Sequence, residues 1–231
     1  MALNLVFIVI SLISSANMLP CNDEPSINEV QDHFAYTPRR QWRAREPTER
    51  RPLARPAPYV VLHHSFTPPA CGDPAQCQEA MRVMQNMHMD GHGWADIGYN
   101  FAVGGDGAVY EGRGWALLGA HALHFNTVSL GVCLIGDWSD SLPPRNQLKA
   151  VQALIAEGVA RGAITPNYRL VGHRQVRANT SCPGDALFNH IQTWKQYSAF
   201  PASWKDLVDV PELPARDKDV VRRSMESGKN G

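Results

Sequence analysis

The chain has no surplus of either charge: 22 Lys and Arg balance 22 Asp and Glu in 231 residues. Binding nucleic acid through an overall field needs a basic excess, and no local basic patch stands in for one, so no nucleic-acid partner is expected. The apolar stretch Leu3 to Ile13 is too short to span a bilayer. It has the length of a signal-peptide core, with small residues at Ser14, Ser15 and Ala16 behind it. No Lys or Arg precedes it, which keeps an amphipathic or buried N-terminal helix as the rival reading. Read as a signal peptide, residues 1–20 imply a secreted, extracellular protein with no stable membrane span. There is no internal repeat. There is no HExxH motif either, so no carboxylate base announces itself beside a metal-binding pair.

What is present fits one domain, since the apolar residues are spread evenly and give no cue for two cores. The five cysteines are an odd number for an exported chain. Cys71 and Cys77 lie in the turn-rich stretch "PACGDPAQCQEA", where a small-loop disulfide suits both the local chemistry and an oxidising compartment. Cys133, in the apolar run "VSLGVCLIG", reads as a small buried hydrophobe. Cys21 is either free in a tail or paired elsewhere.

Asn22 to Ala57 is polar and rich in Arg and Pro, and reads as an N-terminal extension with local order at most around Trp42. Its residues 21–40 are taken as flexible. The core is expected to open at Tyr59 with a strand to Ser65, followed by a helix on which Met81, Met84 and His88 share a face, the two methionines as core filler. "IGYNFAVGGDGAVYEG" reads as a β-hairpin about Gly104 to Gly107. A strand over Ser129 to Ile135 precedes a helix with Leu148, Val151, Leu154, Ile155 and Val159 on one stripe. "YRLVGH" is a short strand ending at His173, and "CPGDALFNHIQTWKQY" opens a last helix with Pro183 in or near its first turn. Beyond Trp204 the chain is polar. The order implies an α/β domain: a central mixed sheet flanked by helices.

Three features carry chemistry: His63 or His64 at one strand exit, His173 at another, and Cys182 ahead of a helix. Imidazole and thiolate suit Zn²⁺, and three protein ligands leave a fourth position open, as in catalytic sites. A helix N-terminus would favour the Cys182 thiolate. Strand alternation puts His63 on the face of Tyr59 and Val61 and turns His64 to the other.

Taken together, "YVVLHHSFT", "ADIGYNFAVGGDGAVYEGRGWALLGAHA", "NTVSLGVCLIGDW", "RLVGHRQVRANTSCPGDALF" and "IQTWKQY" resemble the peptidoglycan recognition protein family, itself similar to phage lysozyme-type amidases. The resemblance runs from about Gln41 to Trp204, defining a single amidase-type domain at 41–204 and a polar tail at 205–231. It implies a zinc-dependent N-acetylmuramoyl-L-alanine amidase that cuts between the lactyl group and the stem peptide of bacterial peptidoglycan, scavenging muropeptides or damping an innate immune response. The implied ligands are His63, His173 and Cys182, with Tyr99 and Thr180 beside the zinc-bound water. Thr67, His88, Trp94, Arg113, Trp115, His121, Ala122 and Asn126 match substrate-side positions, and His64 is grouped with them as a packing residue or one behind the ligands.

The bland alternatives are that Trp94 and Trp115 belong to the core and that Arg113 pairs with Glu111 or Asp137. Arg113 meeting a stem-peptide carboxylate would suit diaminopimelate-type peptidoglycan. Non-catalytic receptors of the family resemble serine at the position of Cys182, so cysteine here favours an enzyme over a peptidoglycan-binding receptor. A cysteine hydrolase is a third reading. One departure stands out: Cys182 lies nine residues after His173 where the family pattern has eight, and the extra residue falls in "VRAN".

Overall fold

The computed structural model describes residues 34–228. The proposed signal peptide and Cys21 lie outside the described residues. Among the described residues six strands form one sheet in the order β1, β4, β3, β5, β2, β6. They are β1 (Tyr36–Thr37), β2 (Ala57–His64), β3 (Phe101–Val103), β4 (Val109–Glu111), β5 (Ser129–Leu134) and β6 (Ile164–Gly172). Only β3 and β4 pair antiparallel, as the hairpin expected around Gly104 to Gly107; the remaining pairs are parallel, making the sheet mixed.

Strand β2 sits between β5 and β6 and is covered on both faces, which is why "APYVVLHH" shows no polar alternation. The in-register trio Leu62, Val132 and Phe101 shares one face with Val60, packing on α2 (Arg145–Ala160) through Val151, Leu154 and Ile155. The next trio, His63, Cys133 and Ala102, points the other way. On that side Met81 and Met84 of α1 (Pro74–Asn86) are buried as core, as their spacing indicates. Asp73 caps α1 by accepting from the N–H groups of Ala75 and Gln76, and the Cys71–Cys77 disulfide ties the helix to the preceding loop. A π-helical turn, Met87–Gly91, extends α1 and carries His88.

Two segments depart from expectation. The Arg-rich stretch is part of the fold from residue 34 onward: Tyr36–Thr37 pairs with β4, and Trp42 is fully buried, its indole N–H donating to the Glu111 carbonyl at 2.9 Å. Its arginines make specific contacts. Arg39 donates to the Gly112 carbonyl at 2.8 Å and pairs with buried Asp96 at 2.9 Å. After the short helices α3 (His173–Val176) and α4 (Asp185–Ile191), the polar C-terminal stretch also folds. A 3-10 turn over Trp204–Asp209 leads to α5 (Ala215–Glu226), and Leu207, Val210, Leu213 and Val221 are buried beside Tyr59 and Val61. Four apolar residues spread over a charged stretch are too sparse to show a stripe in sequence, yet they cover one end of the sheet. Among the described residues no helix is long and apolar enough to cross a membrane.

Trp42→Ala is expected to lower unfolding free energy by about 3–5 kcal/mol, the usual cost of emptying a buried indole site. Trp94→Ala, at a residue 38% exposed, should lose far less. Urea denaturation of both variants checks this, and equal losses would contradict the burial of the N-terminal segment.

Candidate metal centre

His63 is the penultimate residue of β2, and its ring is brought by strand parity to the α1 side of the sheet. His173 follows β6 directly at the start of α3. Cys182 arrives on the loop between α3 and α4. The ligand atoms of these three residues lie within 4.8 Å of one another. Cys182 Sγ is 3.7 Å from His63 Nδ1, and the two imidazole centroids are 4.3 Å apart.

The loop that delivers the sulfur is shaped by two residues with positive φ. Asn179 takes a left-handed conformation, φ 56°, which asparagine tolerates better than most residues. Gly184, φ 92°, then passes so close to Trp138 that a Cβ there would meet its carbonyl at 2.3 Å. Pro183 therefore precedes this turn, and α4 begins only at Asp185. The thiolate-favouring helix start expected at Cys182 is not formed. Burial instead pushes the Cys182 thiol up to about 12, opposed by the His64 main-chain N–H, which donates to Sγ at 3.4 Å.

The imidazoles are held neutral by the same burial. Desolvation drives His63 well below the ordinary histidine range, helped by His173 and His121. It brings His173 to about 4, with Arg177 adding repulsion, and His121 to about 3. Neutral imidazole is the form that ligates a metal, whereas the thiol must shed its proton to a cation. In a tetrahedral site with Zn–N near ~2.0 Å and Zn–S near ~2.3 Å, an N and an S ligand stand roughly 3.5 Å apart. The observed 3.7 Å fits a zinc ion held by Nδ1 of His63 and Sγ of Cys182, with His173 as the third donor.

A family model described as N-acetylmuramoyl-L-alanine amidase matches residues 53–185. The chain belongs to this family. Peptidoglycan-recognition protein LB of Drosophila melanogaster is 48% identical over 160 residues, 69% of this chain and 68% of that one. The Homo sapiens protein named N-acetylmuramoyl-L-alanine amidase is 43% identical over 169 residues, 71% of this chain but 29% of its own length. A solved structure of peptidoglycan recognition protein LE in complex with tracheal cytotoxin, a monomeric diaminopimelic acid-type peptidoglycan, matches with TM-score 0.71 and 40% identity. It covers 73% of this chain and 99% of that one.

In this amidase-family chain Tyr99, Thr180 and His64 lie against the three donors. Tyr99 lies against His63 at 5.2 Å between centroids; burial raises its pKa, with the sulfurs of Cys133 and Cys182 adding to the rise. Thr180 Oγ1 accepts from the Cys182 N–H at 3.1 Å. His88 packs on Tyr99 at 5.5 Å and stacks on Trp94 at 4.8 Å, while Gly98 N–H donates to its Nδ1. Arg113 pairs with neither Glu111 nor Asp137. It donates instead to the carbonyls of Ile97 at 2.7 Å and Leu118 at 2.8 Å, and reaches that of Asp96 at 3.4 Å. His64 is buried behind the ligands, its Nδ1 accepting from the Trp138 N–H at 3.2 Å. Thr67 is exposed at the turn after β2.

Other assignments fall differently. Trp115 packs on Phe101 at 4.3 Å, on the Leu62 face of the sheet, so the strand parity that brings His63 to the site takes Trp115 away from it. Ala122 is fully buried beside Phe125. Asn126 spends its Oδ1 on the N–H groups of His121 and Ala122, at 2.9 and 2.8 Å. His121 touches the ligand set itself, its Nδ1 lying 3.1 Å from His63 Nε2. No local pattern announces that contact, because the partners are 58 residues apart.

The neutral imidazoles also set a pH dependence. Their folded pKa values, about 4 for His88 and His173 and about 3 for His121, lie below the unfolded value near 6.5, so the unfolded state binds more protons between those limits. Stability of metal-free protein is then fully present above about 6.5 and is lost as pH falls toward 4, by at least ~2 kcal/mol. Urea midpoints of chelator-treated protein from pH 8 to pH 4 check this; a flat profile would contradict neutral burial of the rings.

Proposed function

We propose that the protein is a secreted, zinc-dependent N-acetylmuramoyl-L-alanine amidase that binds bacterial peptidoglycan and hydrolyses the lactyl-L-alanine amide bond. The observation that carries this reading is the approach of a buried thiol to within 3.7 Å of a neutral imidazole, with a second imidazole in the same cluster. His63, His173 and Cys182 would hold the zinc, which when bound lowers the pKa of a coordinated water and polarises the scissile carbonyl. Tyr99 lies beside His63, and its O–H, hydrogen-bonded to the Cys133 sulfur in the metal-free protein, would serve the developing oxyanion once turned toward the metal. Thr180, its oxygen occupied by the Cys182 N–H, keeps a hydroxyl proton to donate to substrate or water.

Ring contacts run from His63 through Tyr99 and His88 to the half-exposed Trp94, and in this reading that series lines the glycopeptide site. Arg113 uses three of its five N–H donors on main-chain carbonyls and has two left for a stem-peptide carboxylate. This supports a preference for diaminopimelate-type polymer, in keeping with the ligand of the similar LE structure. In an extracellular setting such an amidase removes the immune-stimulating form of wall fragments, acting as scavenger or negative regulator.

A cysteine-nucleophile reading is disfavoured because a thiol pushed up to about 12 supplies almost no thiolate at neutral pH without a cation beside it. A non-catalytic receptor would bind the same polymer without cutting it.

Mass analysis of peptidoglycan digests tests the proposal. Wild-type protein with zinc should release stem peptide, faster from diaminopimelate-type than from Lys-type polymer. Chelated protein and Cys182→Ser should lose at least ~100-fold, beyond what a change behind the ligands costs. Equal release by Cys182→Ser would reject the metal reading. Binding without release by wild type would establish the receptor.

A further inference from the structure

We propose that His121 is a positioning residue for His63, fixing the tautomer that turns a bare Nδ1 toward Cys182. The inference rests on the metal-centre reading given above. It concerns a contact inside the protein, separate from any contact His121 makes with substrate.

Of the two ring nitrogens of His63, Nδ1 is the one that lies 3.7 Å from the sulfur. A ligating nitrogen must carry no proton, so the proton of neutral His63 belongs on Nε2. That proton needs an acceptor, because the ring is only 1% exposed. His121 Nδ1, 3.1 Å from Nε2, is that acceptor. Metal-bound histidines generally hand their second N–H to a carboxylate, a carbonyl or water; here a neutral imidazole takes the place.

The packing around His121 shows that its ring is held in position. A Cβ at Gly131 would come within 2.3 Å of its Cγ, and one at Gly119 within 2.4 Å of its Cδ2, so both positions are kept clear for the imidazole. Gly131 is itself pinned, its N–H donating to Asn100 Oδ1 at 3.0 Å. Asn100 Nδ2 is anchored in turn on the carbonyls of Gly114 and Leu117, at 2.9 and 2.8 Å. Asn126 clamps the main chain on either side of the His121–Ala122 peptide. With Nδ1 accepting, the His121 proton sits on Nε2, a buried atom without a close hydrogen-bond partner among the described residues, and the Ser129 backbone is the group that favours a proton on this ring.

Long-range ¹H–¹⁵N spectra of the metal-free protein read the His63 tautomer directly, and chelator competition reads zinc affinity. Wild type should show His63 protonated at Nε2. His121→Phe, which keeps a ring but no acceptor, should lose that single tautomer and bind zinc about 10–100-fold more weakly. His121→Asn, whose Oδ1 stands near the place of Nδ1, should recover most of the affinity. Thermal unfolding of the three metal-free forms separates a folding defect from a ligand defect, because the Asn variant packs less well than Phe yet is expected to bind zinc better. The inference is overturned if wild-type His63 carries its proton on Nδ1, or if His121→Phe binds zinc as tightly as wild type. Should wild type bind no zinc at all, the proposed function fails and takes this inference with it.

Discussion

A buried sulfur beside two neutral imidazoles is the constraint on which the rest of the structure turns. The sulfur and the His63 ring are withdrawn from water and the His173 ring is partly so; burial pushes the thiol up to about 12 and, with the repulsion of Arg177, holds the His173 imidazole near 4. Such a set has neither a charge nor a full complement of hydrogen bonds to justify its place in a core. A divalent cation reverses the balance: it takes the thiolate, it needs the imidazoles unprotonated, and it leaves a coordination position for chemistry.

The fold delivers these groups by ordinary means. The centre lies at the carboxyl ends of parallel strands, where side chains and loops of an α/β sheet converge outside the packed layers. Parity along β2 sends Leu62 into the α2 layer and His63 toward α1, and the same register places Cys133 and Ala102 beside the histidine. A loop with a left-handed asparagine and a glycine pressed on Trp138 returns the sulfur to the strand that carries His63. Segments distant in sequence close the periphery. The Arg39–Asp96 pair fastens the N-terminal stretch beside the segment that leads into Tyr99, and α5 seals the end of the sheet behind Tyr59.

How much of this was legible in sequence depended on whether the signal was local. Continuous β-formers from Tyr59, the methionine spacing of α1 and the apolar stripe of α2 each declare an element within a few residues, and those elements stand where expected. The disulfide was readable for the same reason, both cysteines lying in one turn-rich stretch. The ligand set depended on long ordered motifs, with alternation choosing His63 over His64. Tertiary placement was not readable. Trp42 looks like a lone aromatic among arginines until Glu111 accepts its indole N–H. Trp115 sits in a motif whose neighbours face the site, yet it packs on Phe101 across the sheet. Pro183 resembles a helix opener, but the close approach of Gly184 to Trp138 delays α4 to Asp185.

The central claim is that one ion is shared by two imidazole nitrogens and one sulfur. X-ray absorption at the zinc edge of the metal-loaded protein measures that donor set directly. The account predicts a single sulfur at about 2.3 Å with two nitrogens near ~2.0 Å and one further light atom. A shell of nitrogen and oxygen alone, with no sulfur scatterer, would contradict it.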